Sequence, residues 1–547
     1  MTAGTCFAGA GCRQGHDFRI GRAGMGRQFR LLAQAACLLS LLAGVATVQA
    51  AAPLVDTNAG PITGKSTDGV DAFLGIPYAG DTGRANRWRA PQPVPAWTVV
   101  RQATDFGADC LQEPPHNPPG GSPWTAEYFP IGKASENCLF VNVWRPAGAA
   151  TAGGLPVMVW IHGGAFVGGS GAVPLYDGTA LARQGIIVVS LNYRLGIFGF
   201  LAHPALSREA GSSGNYGLMD QIAALRWVKE NIARFGGDPT RVTVAGQSAG
   251  AASVHALLAA PSAAGLFRQA IAQSGSGMGI PIMPHAAAEA MGEKLLAAAG
   301  VESIEALRAL PADAVAKAGK DPSLGPPGLR FAPITEPAIL PDPAKQRSNV
   351  PVLTGLTADE GSTGRDWSLA SVAQLEDLLV RRFGDKAVHF RPFYTASDDA
   401  TASVAVKRLL REQAIASMLA WAQTRPADAA PVHAYLFNHT QTGTPAERFG
   451  SFHSVELAYV FGTLDKSGRA IQEADRAIAA SMMGYWVSFV RDGDPNAKGS
   501  PAPLWPRLSS GKIMGLGDKT EPVESLQPDT WRAYRDFAAS GGKLGLF

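Results

Sequence analysis

The chain has 547 residues, of which 46% are hydrophobic, and it carries 48 Lys and Arg side chains against 45 Asp and Glu. That length is sufficient to bury a large globular core. Five arginines and one aspartate lie in the first fifty residues, so the remainder is nearly neutral and lacks the concentrated positive charge that nucleic acids and anionic membranes require.

The first fifty residues predict a removable leader. Arg27 and Arg30 precede an apolar run over residues 31–48, which ends in small residues. This pattern is typical of a secretory signal peptide, which we place at residues 25–50 with cleavage after Ala50. A membrane anchor is the alternative, but the polar residues within the run and its small-residue end favour cleavage.

The mature chain, residues 51–547, is predicted to form one domain, because no repeat, charge block or long linker divides it. We expect it to be secreted or periplasmic, with no stable membrane anchor. Its only cysteines are Cys110 and Cys138, which an oxidising compartment would join in one disulfide. For a loop of this length, closure contributes about 3 kcal/mol of stability.

Short apolar runs rich in β-branched residues recur along the mature chain and predict strands. They lie at residues 156–161, 186–191, 242–245, 350–353 and 432–437. Their continuous apolarity indicates a sheet buried on both faces. Between the second and third runs, five apolar residues from Leu218 to Ile232 share one helical face. The strand–helix–strand order predicts a mostly parallel central sheet flanked by helices, an α/β fold. The Ala-rich stretch over residues 285–329 predicts a helical cap insertion.

A pair of glycines, Gly163 and Gly164, directly follows the first predicted strand and His162. Attack on a carbonyl group creates a negatively charged oxygen, which backbone N–H donors must already face. We predict that Gly163, Gly164 and Ala249 supply those donors.

The pentapeptide Gly-Gln-Ser-Ala-Gly, at residues 246–250, contains the predicted nucleophile Ser248. A Gly-x-Ser-x-Gly run is weak evidence alone, because it arises by chance in many chains with this much glycine. Here it lies between the predicted strand 242–245 and a helical pattern at residues 251–258. A strand, a sharp turn and a helix are the parts of a nucleophile elbow.

A serine nucleophile requires a general base and an acid that orients the base, in the chain order Ser, acid, His. His439 and His453 follow the last predicted strand; the longer polar approach favours His453 without excluding His439. Asp359 and Glu360 both follow the strand at residues 350–353, and composition does not choose between them.

The motifs around these residues resemble the type-B carboxylesterase family, which includes cholinesterases and bacterial para-nitrobenzyl esterases and has the α/β-hydrolase fold. The resemblance covers almost the whole mature chain. Besides the serine motif, it is carried by residues 73–79, 87–88, 136–143, 192–194, 214–221, 235–239 and 273–275.

The resemblance implies a carboxylic ester hydrolase that works through an acyl-enzyme intermediate, with Glu360 as the acid and His453 as the base. It also implies the disulfide of Cys110 with Cys138, and it assigns to Ser274 a hydroxyl that supports the triad. Gln247 stands where the family usually has glutamate, so the buried polar network beneath the elbow must be arranged differently.

We expect no metal or cofactor, because His-Glu-x-x-His, Cys-x-x-Cys and Gly-x-Gly-x-x-Gly motifs are absent from the sequence. The expected partner is a small-molecule ester, while the oligomeric state stays open.

Choline esters are not expected, because Trp124 is out of register with the tryptophan that binds choline in cholinesterases. An acyltransferase, a lactonase or an amidase would use the same residues. A non-catalytic neuroligin-like adhesion module would be expected to lack a member of the triad, and this chain has all three.

Overall fold

A computed structural model describes residues 52–113, 121–149, 154–276, 282–325, 330–343, 345, 348–443 and 446–545. The predicted signal peptide lies outside the described residues. Among the described residues, none of the helices combines the length and the apolar composition that spanning a bilayer requires.

Strands occur along nearly the whole described chain. In chain order they are Leu54–Asp56 (β1), Pro61–Thr63 (β2), Lys65–Thr67 (β3), Val70–Pro77 (β4), Arg101–Gln102 (β5), Asp109–Cys110 (β6), Ala134–Ser135 (β7), Phe140–Pro146 (β8), Leu155–Ile161 (β9), Ile187–Leu191 (β10), Gly237–Gln247 (β11), Gln269–Gln273 (β12), Met283–Pro284 (β13), Ile334–Thr335 (β14), Val352–Thr357 (β15), Val432–Phe437 (β16), Lys512–Leu516 (β17) and Glu521–Glu524 (β18).

Eleven of these described strands form one sheet, in the order β18-β17-β16-β15-β12-β11-β9-β10-β8-β4-β3. The seven strands from β17 to β10 are paired in parallel. The strands at both edges pair antiparallel. The predicted mostly parallel sheet is thereby confirmed, and all five predicted strands belong to it.

The α-helices of the described chain are Thr179–Arg183 (α1), Gly196–Phe200 (α2), Pro204–Ala210 (α3), Tyr216–Asn231 (α4), Ala249–Ala259 (α5), His285–Ala298 (α6), Ile304–Ala309 (α7), Ala312–Ala318 (α8), Val372–Phe383 (α9), Asp399–Gln423 (α10), Ala446–Phe449 (α11), Leu457–Phe461 (α12), Glu473–Asp492 (α13) and Pro528–Ala539 (α14). The helix predicted from the apolar pattern is α4. The predicted cap is helical through α6, α7 and α8, while its residues 326–329 lie outside the described part.

Helices cover both faces of the sheet, as the strand β9 illustrates. Val157 and Val159 belong to the core that includes the buried side chains of α4. The alternate residues Met158 and Trp160 belong to the core that includes Trp486 of α13. Because both faces of the strand are buried, its sequence is apolar at every position rather than at every second one.

Candidate active site

The predicted nucleophile lies at a sharp turn between a strand and a helix. β11 ends at Gln247 and α5 begins at Ala249, which leaves Ser248 between them with φ 58° and ψ −123°. A non-glycine residue in this region costs of the order of 1–3 kcal/mol, which the surrounding packing must offset. A Cβ atom at Gly246 would collide with Gly250, and one at Gly250 would collide with the backbone of β9. The two glycines of the motif are therefore required by space.

Glu360 and His453 form a hydrogen-bonded pair close to the carboxyl ends of the parallel strands. Nδ1 of His453 lies 2.5 Å from Oε2 of Glu360. The other carboxylate oxygen accepts hydrogen bonds from the Ser274 hydroxyl at 2.6 Å and from the backbone N–H of Thr357 at 2.8 Å. Glu360 is buried, and each of its oxygens has at least one donor, so the carboxylate is held in one orientation.

The residues that the sequence left as alternatives have other partners. Asp359 pairs with Arg411 at 2.9 Å and accepts the backbone N–H of Ser451 at 2.9 Å. His439 lies between Asp475, at 3.0 Å, and another aspartate after β17. Neither Asp359 nor His439 is among the residues that line the cavity containing Ser248.

The charges of the pair stabilise each other. Burial opposes ionisation of Glu360, but the attraction of His453 and the hydrogen bonds that Glu360 accepts outweigh it and lower its pKa. Burial likewise acts against the charged form of His453, yet Glu360 raises the pKa of the imidazole above its usual value. The pair therefore favours a positively charged ring when a proton arrives at Nε2.

A second carboxyl group, Glu456, is completely buried beside this pair. Its Oε1 accepts a hydrogen bond from the Gln273 side chain at 3.1 Å, whereas Oε2 has no partner within the described residues. Burial and the neighbouring charge of Glu360 raise the pKa of Glu456 to about 7. It is thus only partly ionised near neutral pH.

The glycine segment after β9 passes close to Ser248. A Cβ atom at Gly163 would lie 2.7 Å from the backbone oxygen of Gln247 and 3.0 Å from the Cβ of Ser248, so a larger residue would displace the elbow. Gly164 has φ 109° and Ala165 has φ 54°. The backbone N–H groups of Gly163, Gly164 and Ala165 have no acceptor among the described residues, and all three residues line the cavity. Ala249 lines it as well, at the N-terminus of α5.

The side chain of His162 orients that segment. Its Nδ1 lies 2.8 Å from the carbonyl oxygen of Gly163, and its ring stacks on Tyr193 at 4.4 Å. Burial lowers the pKa of His162 to about 4, so the ring is neutral and Nδ1–H donates to the carbonyl. Because a trans peptide directs its oxygen and its N–H to opposite sides, this bond turns the N–H of Gly164 away from His162.

The cavity has a volume of about 500 Å³ and a largely apolar wall. It contains Ser248, His453 and part of Glu360, together with Gln247 and Ser274. Its apolar lining consists of Trp124, Tyr128, Phe129, Pro130, Val173, Tyr176 and Leu457. An apolar cavity with a few convergent polar groups is the usual form of a small-molecule site.

The predicted disulfide joins Cys110 and Cys138 and is confirmed. The described part of the loop that it closes forms one wall of the cavity. Trp124 in this loop donates its indole N–H to the backbone oxygen of His453 at 3.0 Å. At the cavity mouth, Glu113 of the same loop pairs with Lys320, which follows α8.

No group of three or more His, Cys, Asp or Glu side chains in the described chain could hold a metal ion.

The structure thus brings together all the predicted site residues, namely Ser248, Glu360, His453, Gly163, Gly164, Ala249, Ser274 and Gln247. Sequence reasoning missed Ala165, Glu456 and the contact of Trp124 with the base. Ala165 could have been noticed as the third small residue after His162. The other two depend on contacts between distant parts of the chain.

Comparisons with known proteins agree with this geometry. The family model described as "Carboxylesterase family" matches residues 51–531. The chain is 38% identical to fumonisin B1 esterase of Sphingopyxis macrogoltabida, over 86% of this chain and 87% of that protein. It is 36% identical to para-nitrobenzyl esterase of Bacillus subtilis (strain 168), over 89% of this chain and 99% of that one.

Solved structures give the same result. A PNB esterase structure superposes with a TM-score of 0.73 at 33% identity, covering 88% of this chain and 99% of that one. A thermophilic PNB esterase superposes with a TM-score of 0.72 at 32% identity and the same coverage. The expected α/β-hydrolase fold is confirmed. The chain belongs to the carboxylesterase family and hydrolyses carboxylic esters.

Proposed function

We propose that Ser248 is the nucleophile, His453 the general base and Glu360 the orienting acid of this ester hydrolase. The observation that carries the proposal is the hydrogen-bonded pair of Glu360 and His453 in the same cavity as the strained Ser248. A serine in a strained backbone conformation next to a buried histidine–carboxylate pair is an arrangement that activates a hydroxyl group.

The proposed reaction has two halves. Oγ of Ser248 attacks the ester carbonyl carbon while Nε2 of His453 takes the hydroxyl proton; that proton then passes to the leaving alcohol and leaves an acyl-enzyme. In the second half, water gives a proton to Nε2 and attacks the acyl carbon. The acid is released, and the proton returns to Oγ of Ser248. Glu360 holds Nδ1–H in place and stabilises the ring while it is positively charged.

The negative oxygen formed in each half requires donors that do not have to be reoriented. We assign this role to the backbone N–H groups of Gly164, Gly163 and Ala249, and we add Ala165. None of these N–H groups has an acceptor in the part of the chain that the structure describes, which supports the assignment. Loss of one such donor typically lowers the rate by about a hundredfold or more.

The apolar cavity wall indicates that the substrate is an ester with an apolar acyl or alcohol part. Four aromatic side chains, Trp124, Tyr128, Phe129 and Tyr176, surround the space next to Ser248.

We also propose that the protein is exported through its signal peptide, because a disulfide such as that of Cys110 with Cys138 persists in oxidising compartments.

The test is a comparison of the mature wild type with Ser248→Ala on para-nitrophenyl esters of increasing acyl length. The variant should lose at least about a thousandfold in kcat, because no other residue replaces the nucleophile. Mass spectrometry after a rapid quench should detect an acyl group on Ser248 in the wild type. Equal hydrolysis by the two proteins, with equal thermal stability, would end the proposal.

A further inference from the structure

The buried side chain of Gln247 contacts the base. Gln247 is the last residue of β11 and precedes Ser248. Its amide nitrogen lies 3.1 Å from Nε2 of His453 and 2.9 Å from the hydroxyl oxygen of Ser454. Its amide oxygen faces the glycine segment, since a Cβ atom at Gly163 would lie 3.0 Å from it.

This contact is specific for one protonation state of His453. Nδ1 faces Glu360, so Nδ1 carries the hydrogen of the neutral ring and Nε2 has a lone pair. An amide N–H of Gln247 donates to that lone pair. A glutamate at this position, which has no donor when ionised, would instead face the lone pair with its own negative charge.

The contact must change when the reaction begins. Nε2 of His453 has a single lone pair, so the amide N–H must turn away before Nε2 can take the proton of Ser248, and once protonated Nε2 is itself a donor. Rotation of the Gln247 amide by about 180° about its last side-chain torsion exchanges N–H for C=O, and such amide torsions are broad and roughly two-fold. The Ser454 hydroxyl both donates and accepts, so it remains a partner in either orientation.

We propose that Gln247 is a positioning residue for the base: its amide holds neutral His453 before attack and, after reversal, accepts a hydrogen bond from the protonated ring without adding a negative charge. The proposal rests on the assignment of His453 as the base.

The effect of an uncharged side chain at position 247 depends on the charged groups around the ring of His453. Glu360, after β15, and Glu456, three residues beyond His453, are the carboxyl groups that act on the ring. The Asp359–Arg411 pair lies beyond Glu360, and Arg469 stacks over the neighbouring Phe452. Glu456 is only partly ionised near neutral pH, because burial raises its pKa to about 7. With an amide at position 247, Glu360 is therefore the main negative charge acting on the base.

The main test is the pH profile of kcat/KM for the mature wild type and for Gln247→Glu. A second full carboxylate next to His453 should move the acidic limb of the profile to higher pH by one unit or more. At a pH below that limb, activity should then fall about tenfold relative to the wild type. An unmoved acidic limb in a folded Gln247→Glu protein would overturn the proposal.

Gln247→Met is the matched control, because it keeps a side chain of similar length and removes both hydrogen-bonding groups. Its kcat should fall at least about fivefold on the alkaline plateau, with KM nearly unchanged, because the base loses its support but the cavity wall remains. If Gln247→Glu does not fold, Gln247→Met alone tests the proposal, and an unchanged kcat of Gln247→Met would overturn it. Ser248→Ala separates the two hypotheses, since hydrolysis by that variant at the wild-type rate would contradict the triad whatever Gln247 does.

Discussion

At the scale of single residues, two adjacent carboxylates follow β15 and have different partners. Glu360 contacts His453, whereas Asp359 contacts Arg411. We expect Glu360→Gln to lower kcat by up to about ten-thousandfold, because an amide neither stabilises the charged ring nor keeps the hydrogen on Nδ1. Steady-state kinetics on a para-nitrophenyl ester provide the measurement.

Asp359→Asn is the control for that prediction. The Asp359 ion pair is partly exposed at Arg411 and makes no contact with the base, so kcat should stay within about threefold of the wild type. A loss below about tenfold in Glu360→Gln, or a larger loss in Asp359→Asn than in Glu360→Gln, would contradict the assignment of the acid.

Ser248, Glu360 and Asp359 illustrate which residues of the site can be predicted from the sequence and which cannot. Ser248 could be predicted because all the signals for an elbow lie within the seventeen residues 242–258. Residue type and position could not separate Glu360 from Asp359, since both follow the same strand and either could orient a base. The choice depends on which side chain reaches the loop containing His453, and that loop lies about ninety residues further along the chain. The resemblance to the family supplied that information, and the geometry agrees with it.

At the scale of elements, the loop between Cys110 and Cys138 contributes to both the cavity wall and the position of the base. We expect the double variant Cys110→Ser, Cys138→Ser to lose about 3 kcal/mol of unfolding free energy, because the unfolded chain regains the freedom that loop closure removed. KM should rise as well, since Trp124, Tyr128 and Phe129 of this loop line the cavity. Urea unfolding and ester kinetics would measure both effects, and unchanged KM would argue against the loop as a substrate-binding wall.

Trp124→Phe isolates one contact of that loop. The substitution keeps an aromatic ring in the wall but removes the hydrogen bond to the backbone oxygen of His453. A neutral hydrogen bond contributes about 1 kcal/mol, so kcat should fall about fivefold with little change in KM. If the double cysteine variant lowers kcat but Trp124→Phe does not, the loop acts on the base through another contact.

The elements that could be predicted from sequence are those buried on both sides. The strands β9, β10, β11, β15 and β16 lie in the interior of the sheet, so their apolar runs are continuous and easy to recognise. The edge strands β3 and β18 are short and largely exposed, and their sequences contain Lys, Glu and Pro. Their pairing depends on the neighbouring strand rather than on an apolar pattern, so no sequence pattern predicted them.

At the scale of the whole molecule, three histidines lie without charge in different parts of the fold: His162 and His433 are buried, and His255 is half-buried. Burial lowers the pKa of each to about 4. One ring nitrogen of each has no partner among the described residues. An unfolded chain would bind protons at these histidines near pH 6.5.

These pKa values determine how stability depends on pH. Between pH 6.5 and about 4, the unfolded chain binds three protons at these histidines that the native protein does not, so this stabilisation is lost as the pH falls. Glu456 acts in the opposite direction, because its native pKa of about 7 lies above the usual value of 4.5 and the native protein holds its proton in that interval. For these four groups together, the difference of two protons corresponds to about 3 kcal/mol lost per pH unit between pH 6.5 and 4.5.

We therefore expect the melting temperature to fall steeply from pH 6.5 to 5, and the variant His433→Leu to fall less steeply than the wild type. Leucine cannot bind a proton in the unfolded chain, so the variant should lose about 1.4 kcal/mol less per pH unit. His433 lies in β16, outside the cavity lining, so ester hydrolysis at pH 8 should be retained and would show that the variant is folded. Calorimetric melting at several pH values tests this prediction. Parallel curves for the two proteins would mean that His433 binds its proton equally well in the native and the unfolded state, and the acid sensitivity would then have to come from His162, His255 and the carboxylates.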